Sequence, residues 1–416
     1  MTMIKFEKFR LSNGLRVIVH QDPTTPMVAV NICYDVGARD EDPDHTGFAH
    51  LFEHLMFGGS KNIPVYDEPL QNAGGDNNAF TSNDITNYYL TLPKANIETA
   101  FWLESDRMLE LAFSEHSLEV QRNVVIEEFK QRYLNQPYGD VWPLLREMAY
   151  QVHPYRWPTI GREISHIEKA DMQQVKDFFF THYAPNNAVL VVSGDVNSGE
   201  VQKLAEKWFG SIPERKVTER NLPVEPDQTV IREQTVERDV PANALYMAFH
   251  MDGKLGDDFY TTDLISDVLS NGNSSRMYQN LVQKKKLFSE LDAYISGDFD
   301  PGLFVVSGKL SSGVGHEEGR QAVELELDRI RQEMVDPYEL EKVKNKVEAN
   351  LVYSEMNYLT KATNLAVDEI LLDAGLINKQ ADHYRAVTKE RIQEVAQKIF
   401  VPENCSILNY RMKNIR

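Results

Sequence analysis

Residues 47–59 of the 416-residue chain read GFAHLFEHLMFGG, and no other run constrains the fold as much. Phe48, Leu51, Phe52, Leu55, Met56 and Phe57 give a helix that is apolar nearly all round, which places it inside a core. The same helix carries His50, Glu53 and His54 in the order H-x-x-E-H. Ionisable side chains in a buried helix cost too much unless something pairs with them. His50 and His54 are just over one turn apart, so they project from one face with their rings close together. Two imidazoles at that spacing can grip one metal ion, and Glu53, next to His54, can take a proton from water. This is the inverted zincin signature of metal hydrolases. The chain holds 11 His, so a chance match somewhere in its length is expected on the order of one time in fifty. The competing reading, a surface helix with two exposed His, fits the apolar surroundings poorly. Thr46 is the expected N-cap and Gly58-Gly59 the expected stop. His45, ahead of the helix, reads as a loop residue and not a ligand.

The length exceeds one ordinary core and favours two domains. No run of about 18 apolar residues is present, so no transmembrane helix is expected. The N-terminal MTMIKFEKFRLSNGLRVIVH lacks the apolar stretch of a signal peptide and reads as strand–turn–strand around Asn13-Gly14. A cytoplasmic location follows for a complete chain, and a periplasmic one for a chain whose signal peptide has been removed. Cys33 and Cys405 both fall in strand-like runs and read as two buried thiols. A net charge of −19 argues against nucleic-acid binding.

The second half echoes the first. PMVAVNICYDVG returns as PANALYMAFHMDG, and IEKADMQQVKDFFFTHYAPNNAVLVV returns as VTKERIQEVAQKIFVPENCSILNY. Two divergent copies of one α/β unit is the simplest reading. Pro213 to Gln228 is charged, Pro-rich and without apolar period. The expected division is therefore a domain over 1–215, a linker over 216–228 and a second domain over 229–416. Where the second copy should carry its motif helix, TTDLISDVLSNGNSSRMYQNL holds no His. One half carries chemistry and the other binds or scaffolds.

A hydrolytic zinc takes three protein ligands plus water. The third candidate lies in QRNVVIEEF, where Glu127 and Glu128 point about 100° apart on a helix, so only one can face the site. A candidate substrate edge follows Gly74-Gly75: Asn77, Asn78, Ala79, Phe80 and Thr81. An extended peptide could add to such an edge through main-chain pairing. His153, Tyr155 and Tyr88 are softer candidates.

At this point the chain resembles the pitrilysin/insulinase family (M16) of zinc peptidases over its whole length. HLFEHLMFGGSKNIP, GGDNNAFTSNDITNYYLTLP, QRNVVIEEF, HPYRWPTIG and YAPNNAVLVVSGDV follow the family's blocks in order. One motif-bearing and one motif-less domain resemble the short, processing-peptidase-like branch (M16B-like). The resemblance implies an α+β fold of two homologous α/β domains, each a mostly antiparallel sheet flanked by helices, of the LuxS/MPP-like metallohydrolase type. It implies one Zn2+ per chain held by His50, His54 and Glu128, with Glu127 as the alternative third ligand, and Glu53 as general base. It implies peptide binding by Asn78, Ala79, Phe80, Thr81 and Tyr88. Seven positions before Glu128 the family often has an acid; here stands Gln121, which can orient a ligand or water by hydrogen bonding.

The implied activity is that of a zinc endopeptidase acting on unfolded or short peptides. Its rival is a catalytically silent homologue that serves as the structural or peptide-binding subunit of a heterodimer. Many family members complete the site with an Arg and a Tyr on the motif-less half. No convincing pair follows the strand GLFVVSGKL, and Arg276 is the nearest substitute. A homodimer, or a heterodimer with a homologous zinc-less subunit, is therefore expected.

Overall fold

The computed structural model describes residues 3–217 and 219–413, so the chain ends and Thr218 of the expected linker lie outside it. The chain forms two compact units. The first comprises residues 1–130, 157–222 and 351–379; the second comprises 131–156, 223–350 and 380–416. The continuous ranges 1–215 and 229–416 thus describe most of each unit, while 131–156 and 351–379 each join the unit built mainly from the other half.

The first unit is built on six strands: β1 (Glu7–Arg10), β2 (Arg16–Gln21), β3 (Met27–Tyr34), β4 (Asp76–Thr81), β5 (Thr86–Pro93) and β6 (Ala188–Gly194). Their order across the sheet is β1-β2-β6-β3-β5-β4. Only β2 and β6 run parallel; the other neighbours are antiparallel. β3 and β6 are almost wholly buried, as their largely apolar sequences require of central strands covered on both faces, and the one amide inside β3, Asn31, is satisfied by Asn87. Among the described residues β4 pairs only with β5, so one side of it is an open edge. Gly14 closes the β1–β2 turn at φ 88°.

The second unit has five strands: β7 (Arg232–Arg238), β8 (Ala244–His250), β9 (Phe288–Ile295), β10 (Leu303–Leu310) and β11 (Cys405–Met412). Their order is β7-β11-β8-β10-β9, with β7 and β11 parallel and the remainder antiparallel. Laid against the first sheet without β1, this is the same topology with the same parallel pair. The repeat seen in the sequence is a repeat of the fold, two mostly antiparallel sheets flanked by helices. It makes helix Phe259–Ser270, between β8 and β9, the counterpart of the motif helix between β3 and β4.

Four helices of the first unit place the site: α1 (Phe48–Leu55), α2 (Ile97–Leu109), α3 (Glu115–Phe129) and α4 (Met172–His182). Phe52 of α1 stacks on Phe178 and Tyr183, with ring centroids 5.1 Å apart in each case. α2 contributes a fully buried ion pair, Glu104 with Arg107. The guanidinium is enclosed by the rings of Phe57, Tyr66 and Tyr88 at 5.3, 4.7 and 4.5 Å. Helix Tyr358–Leu371, from late in the chain, lies against this sheet, with Lys361 paired to Asp22 at the end of β2. Cys33 and Cys405 are buried free thiols. Among the described residues no helix is long and apolar enough to cross a membrane.

Candidate active site

α1 starts differently from expectation. Its N-cap is Gly47, at φ 90°, and a Cβ there would lie 2.6 Å from the Ile160 carbonyl oxygen. Thr46 is one residue too early to cap. Its hydroxyl accepts the Arg162 amide at 2.8 Å and lies 2.8 Å from His166 Nδ1. The capping role passes to Glu41, which sequence reasoning missed. Its carboxylate accepts the Gly47 amide on Oε2 and the Ala49 amide on Oε1, both at 2.8 Å. Burial pushes this carboxyl up to about 8, against the opposite pull of those two amides. The helix stops as expected, with the Gly58 amide donating to Leu55 and Gly59 at φ 100°.

His50 and His54 leave the same face of α1 with ring centroids 4.9 Å apart and planes at 80°. α3 brings Glu128 to them: its Oε2 lies 3.5 Å from His50 Nε2 and 3.5 Å from His54 Nε2. The three ligand atoms lie within 4.8 Å of one another. Two ligand atoms, each about 2.1 Å from a tetrahedral zinc, stand roughly 3.4 Å apart. The donor types are those zinc takes, and the two separations of Glu128 from the histidines match this spacing. Glu127 turns the other way, 63% exposed, and pairs with Lys130 at 2.7 Å. Gln121 lies two turns before Glu128 on the same face of α3, half-buried.

Glu53 is held from β4, where the Thr81 hydroxyl donates to its Oε2 at 2.7 Å. β4 alternates, with Asn77, Ala79 and Thr81 half-buried and Asp76, Asn78 and Phe80 exposed. The Asn78 side chain accepts the amide of Ala79.

Three expectations change. Tyr88 cannot touch a peptide, because it is fully buried and its hydroxyl donates to the Phe52 carbonyl at 3.2 Å, bracing α1 from behind. Burial drives its phenol well above the ordinary range. His153 and Tyr155 are buried in the second unit, where His153 Nδ1 accepts the Tyr155 amide and the Tyr155 hydroxyl accepts the Asp300 amide. Arg276 is engaged by Glu339 through two hydrogen bonds of 2.9 and 2.6 Å, so anchoring a substrate would mean sharing or giving up that pairing. His45 lies in the loop ahead of α1, as read from the sequence.

Residues 16–163 match the insulinase family, peptidase family M16, and residues 169–347 match the peptidase M16 inactive domain. The chain is 30% identical to zinc protease PqqE of Helicobacter pylori over 84% of its own length and 80% of that protein. It is 26% identical to YmxG, an uncharacterized zinc protease of Bacillus subtilis, over 96% of this chain and 97% of that one. Its fold superposes on the crystal structure of a protease from Helicobacter pylori with a TM-score of 0.92 at 27% identity, covering 98% of this chain and 100% of the other.

Proposed function

The chain belongs to the insulinase family, peptidase family M16, and on that premise we propose that it is a zinc-dependent endopeptidase acting on unfolded or short peptides. The observation that carries this reading is the convergence of His50, His54 and Glu128 on one point, with the Glu53 carboxylate next to it in the chain. His50, His54 and Glu128 would hold one zinc ion. When bound, zinc supplies positive charge that polarises a peptide carbonyl and makes water more acidic. Glu53 takes a proton from the attacking water as its oxygen adds to the carbonyl carbon. It then delivers that proton to the amine as the C–N bond breaks.

The open side of β4 supports the substrate reading. A peptide strand can pair with it through main-chain hydrogen bonds, which are blind to most side chains and demand an extended, unfolded substrate. Asn78 and Phe80 lie exposed on that strand, so both can meet the side chains of such a peptide.

The reading includes a partner. The second unit carries no second H-x-x-E-H, and its Arg276 is already engaged by Glu339. Pairing with a second copy, or with a homologous zinc-less subunit, would supply the missing substrate contacts. Size exclusion of the chain alone and co-expressed with such a homologue, with activity assayed for each, tests this.

The central test is cleavage of an unstructured peptide. Activity should vanish with a chelator, return with zinc and be lost in Glu53→Gln while that variant still binds zinc. Zinc binding without any cleavage would overturn the peptidase reading in favour of a silent, peptide-binding homologue.

A further inference from the structure

Thr81 belongs by position to the peptide-binding edge, yet its side chain faces the other way. Its hydroxyl lies 2.7 Å from Glu53 Oε2, on the half-buried side of β4 and opposite the side that carries Asn78 and Phe80. We propose that Thr81 is a positioning residue for Glu53, fixing the base to the rigid sheet; this rests on the peptidase reading above.

The physical case starts from Glu53 itself. A glutamate near the end of a short helix has three rotatable bonds, and leaving it free to turn costs a base its alignment. A hydroxyl donating to an ionised carboxylate makes a strong, directional bond that selects one orientation. Thr81 can serve as the fixed end of that bond. It is the last residue of β4, paired in register with Thr86 of β5, whose own hydroxyl donates to the Val36 carbonyl at 2.9 Å. Its branched Cβ also restricts χ1. The bond therefore ties the base on α1 to the same strand that the peptide would pair with. A peptide laid along β4 and the proton acceptor share one frame.

Thr81→Val keeps the shape and removes the donor; Thr81→Ser keeps the donor. For Thr81→Val we expect kcat to fall about tenfold to a hundredfold with KM within about twofold of wild type. Thr81→Ser should stay within about threefold of wild type in both. Zinc content should be unchanged in both variants. The affinity for a labelled peptide, measured without turnover in a Glu53→Gln background, should also be unchanged. A rise in KM, or a loss of peptide affinity, would make Thr81 a substrate contact and overturn the proposal. So would a wild-type kcat in Thr81→Val, or loss of zinc from it. A wild-type chain that cleaves nothing overturns the peptidase reading and this role together. A cleaving wild type beside an unimpaired Thr81→Val overturns this role alone.

Discussion

Glu128 Oε2 stands 3.5 Å from His50 Nε2, across the gap between α1 and α3. That separation is too long for a good hydrogen bond and is the spacing of two ligands around one ion. The relation is also what separates Glu128 from Glu127, its neighbour in the chain.

Glu128→Gln should weaken zinc binding by about a hundredfold or more, because an amide oxygen replaces an anionic ligand. Glu127→Gln should leave it unchanged, since that side chain only meets Lys130 near the surface. Zinc titration of the two variants against a competing chelator checks this. Equal losses would mean that the pair acts through helix stability and not through coordination.

Glu41→Ala strips the partners from the Gly47 and Ala49 amides, two donors buried at the start of α1. Each unsatisfied amide costs about 1–3 kcal/mol. The helix that carries His50 should loosen, with zinc affinity down roughly ten- to a hundredfold. Thermal unfolding of the zinc-free protein reads the first effect and zinc titration the second. A variant as stable as wild type would show that Glu41 is dispensable as a cap.

Asp22 gives a pH-dependent prediction. Burial opposes its charge, but Lys361 and both the hydroxyl and amide of Thr24 outweigh it and hold the carboxyl down at about 2. The ordinary value is 3.8, so the unfolded chain takes up a proton first as pH falls. The stabilisation is therefore complete above about pH 4 and disappears as pH drops through about 2. A shift of that size corresponds to about 2 kcal/mol at neutral pH. Denaturant unfolding of zinc-free wild type and Asp22→Asn should differ by about that amount at pH 7 and converge towards pH 2. A difference that persists at pH 2 would assign the effect to packing of helix Tyr358–Leu371.

The buried pair on α2 makes the fourth prediction. Arg107→Met leaves Glu104 charged in a dry site, and Glu104→Gln leaves Arg107 likewise uncompensated. Either change should cost about 3–5 kcal/mol. Replacing both with apolar residues should recover much of the loss, because the remaining charge is what costs. Unfolding midpoints of the two single variants and the double variant distinguish this from simple loss of packing, in which case the double variant would be the worst.

Much of the site was legible in the chain because it is local. His50 and His54 lie just over one turn apart with Glu53 between them, so helical periodicity alone puts both imidazoles on one face. Gly59 marks the stop by a backbone conformation that other residues resist. The two-copy architecture was legible as well, since each copy keeps its own order of apolar strands. A strand at Asn77–Thr81 was legible after the glycine pair, and the sheet order makes it the edge.

What stayed hidden depends on where distant segments meet. Glu41 caps α1 only because the loop folds back over the helix start; in the sequence Thr46 is the better-placed cap, and Gly47 intervenes. Tyr88 and Thr81 sit on neighbouring strands and, by the pairing of Ala79 with Tyr88, on one face of the sheet; the inner position of β5 puts Tyr88 wholly under α1, while Thr81, on edge strand β4, meets Glu53. The sequence by itself determined that His50 and His54 share one helix face beside Glu53, and it showed the repeat of the fold, because helical spacing and the order of apolar strands carry that information. Which of the two glutamates lies beside the histidines, open to helix geometry and given as Glu128 only by the family resemblance, is seen in the tertiary structure, as are the side chains that hold α1 and Glu53 in place. Those roles are set by packing between residues far apart in the chain, and no local pattern records them.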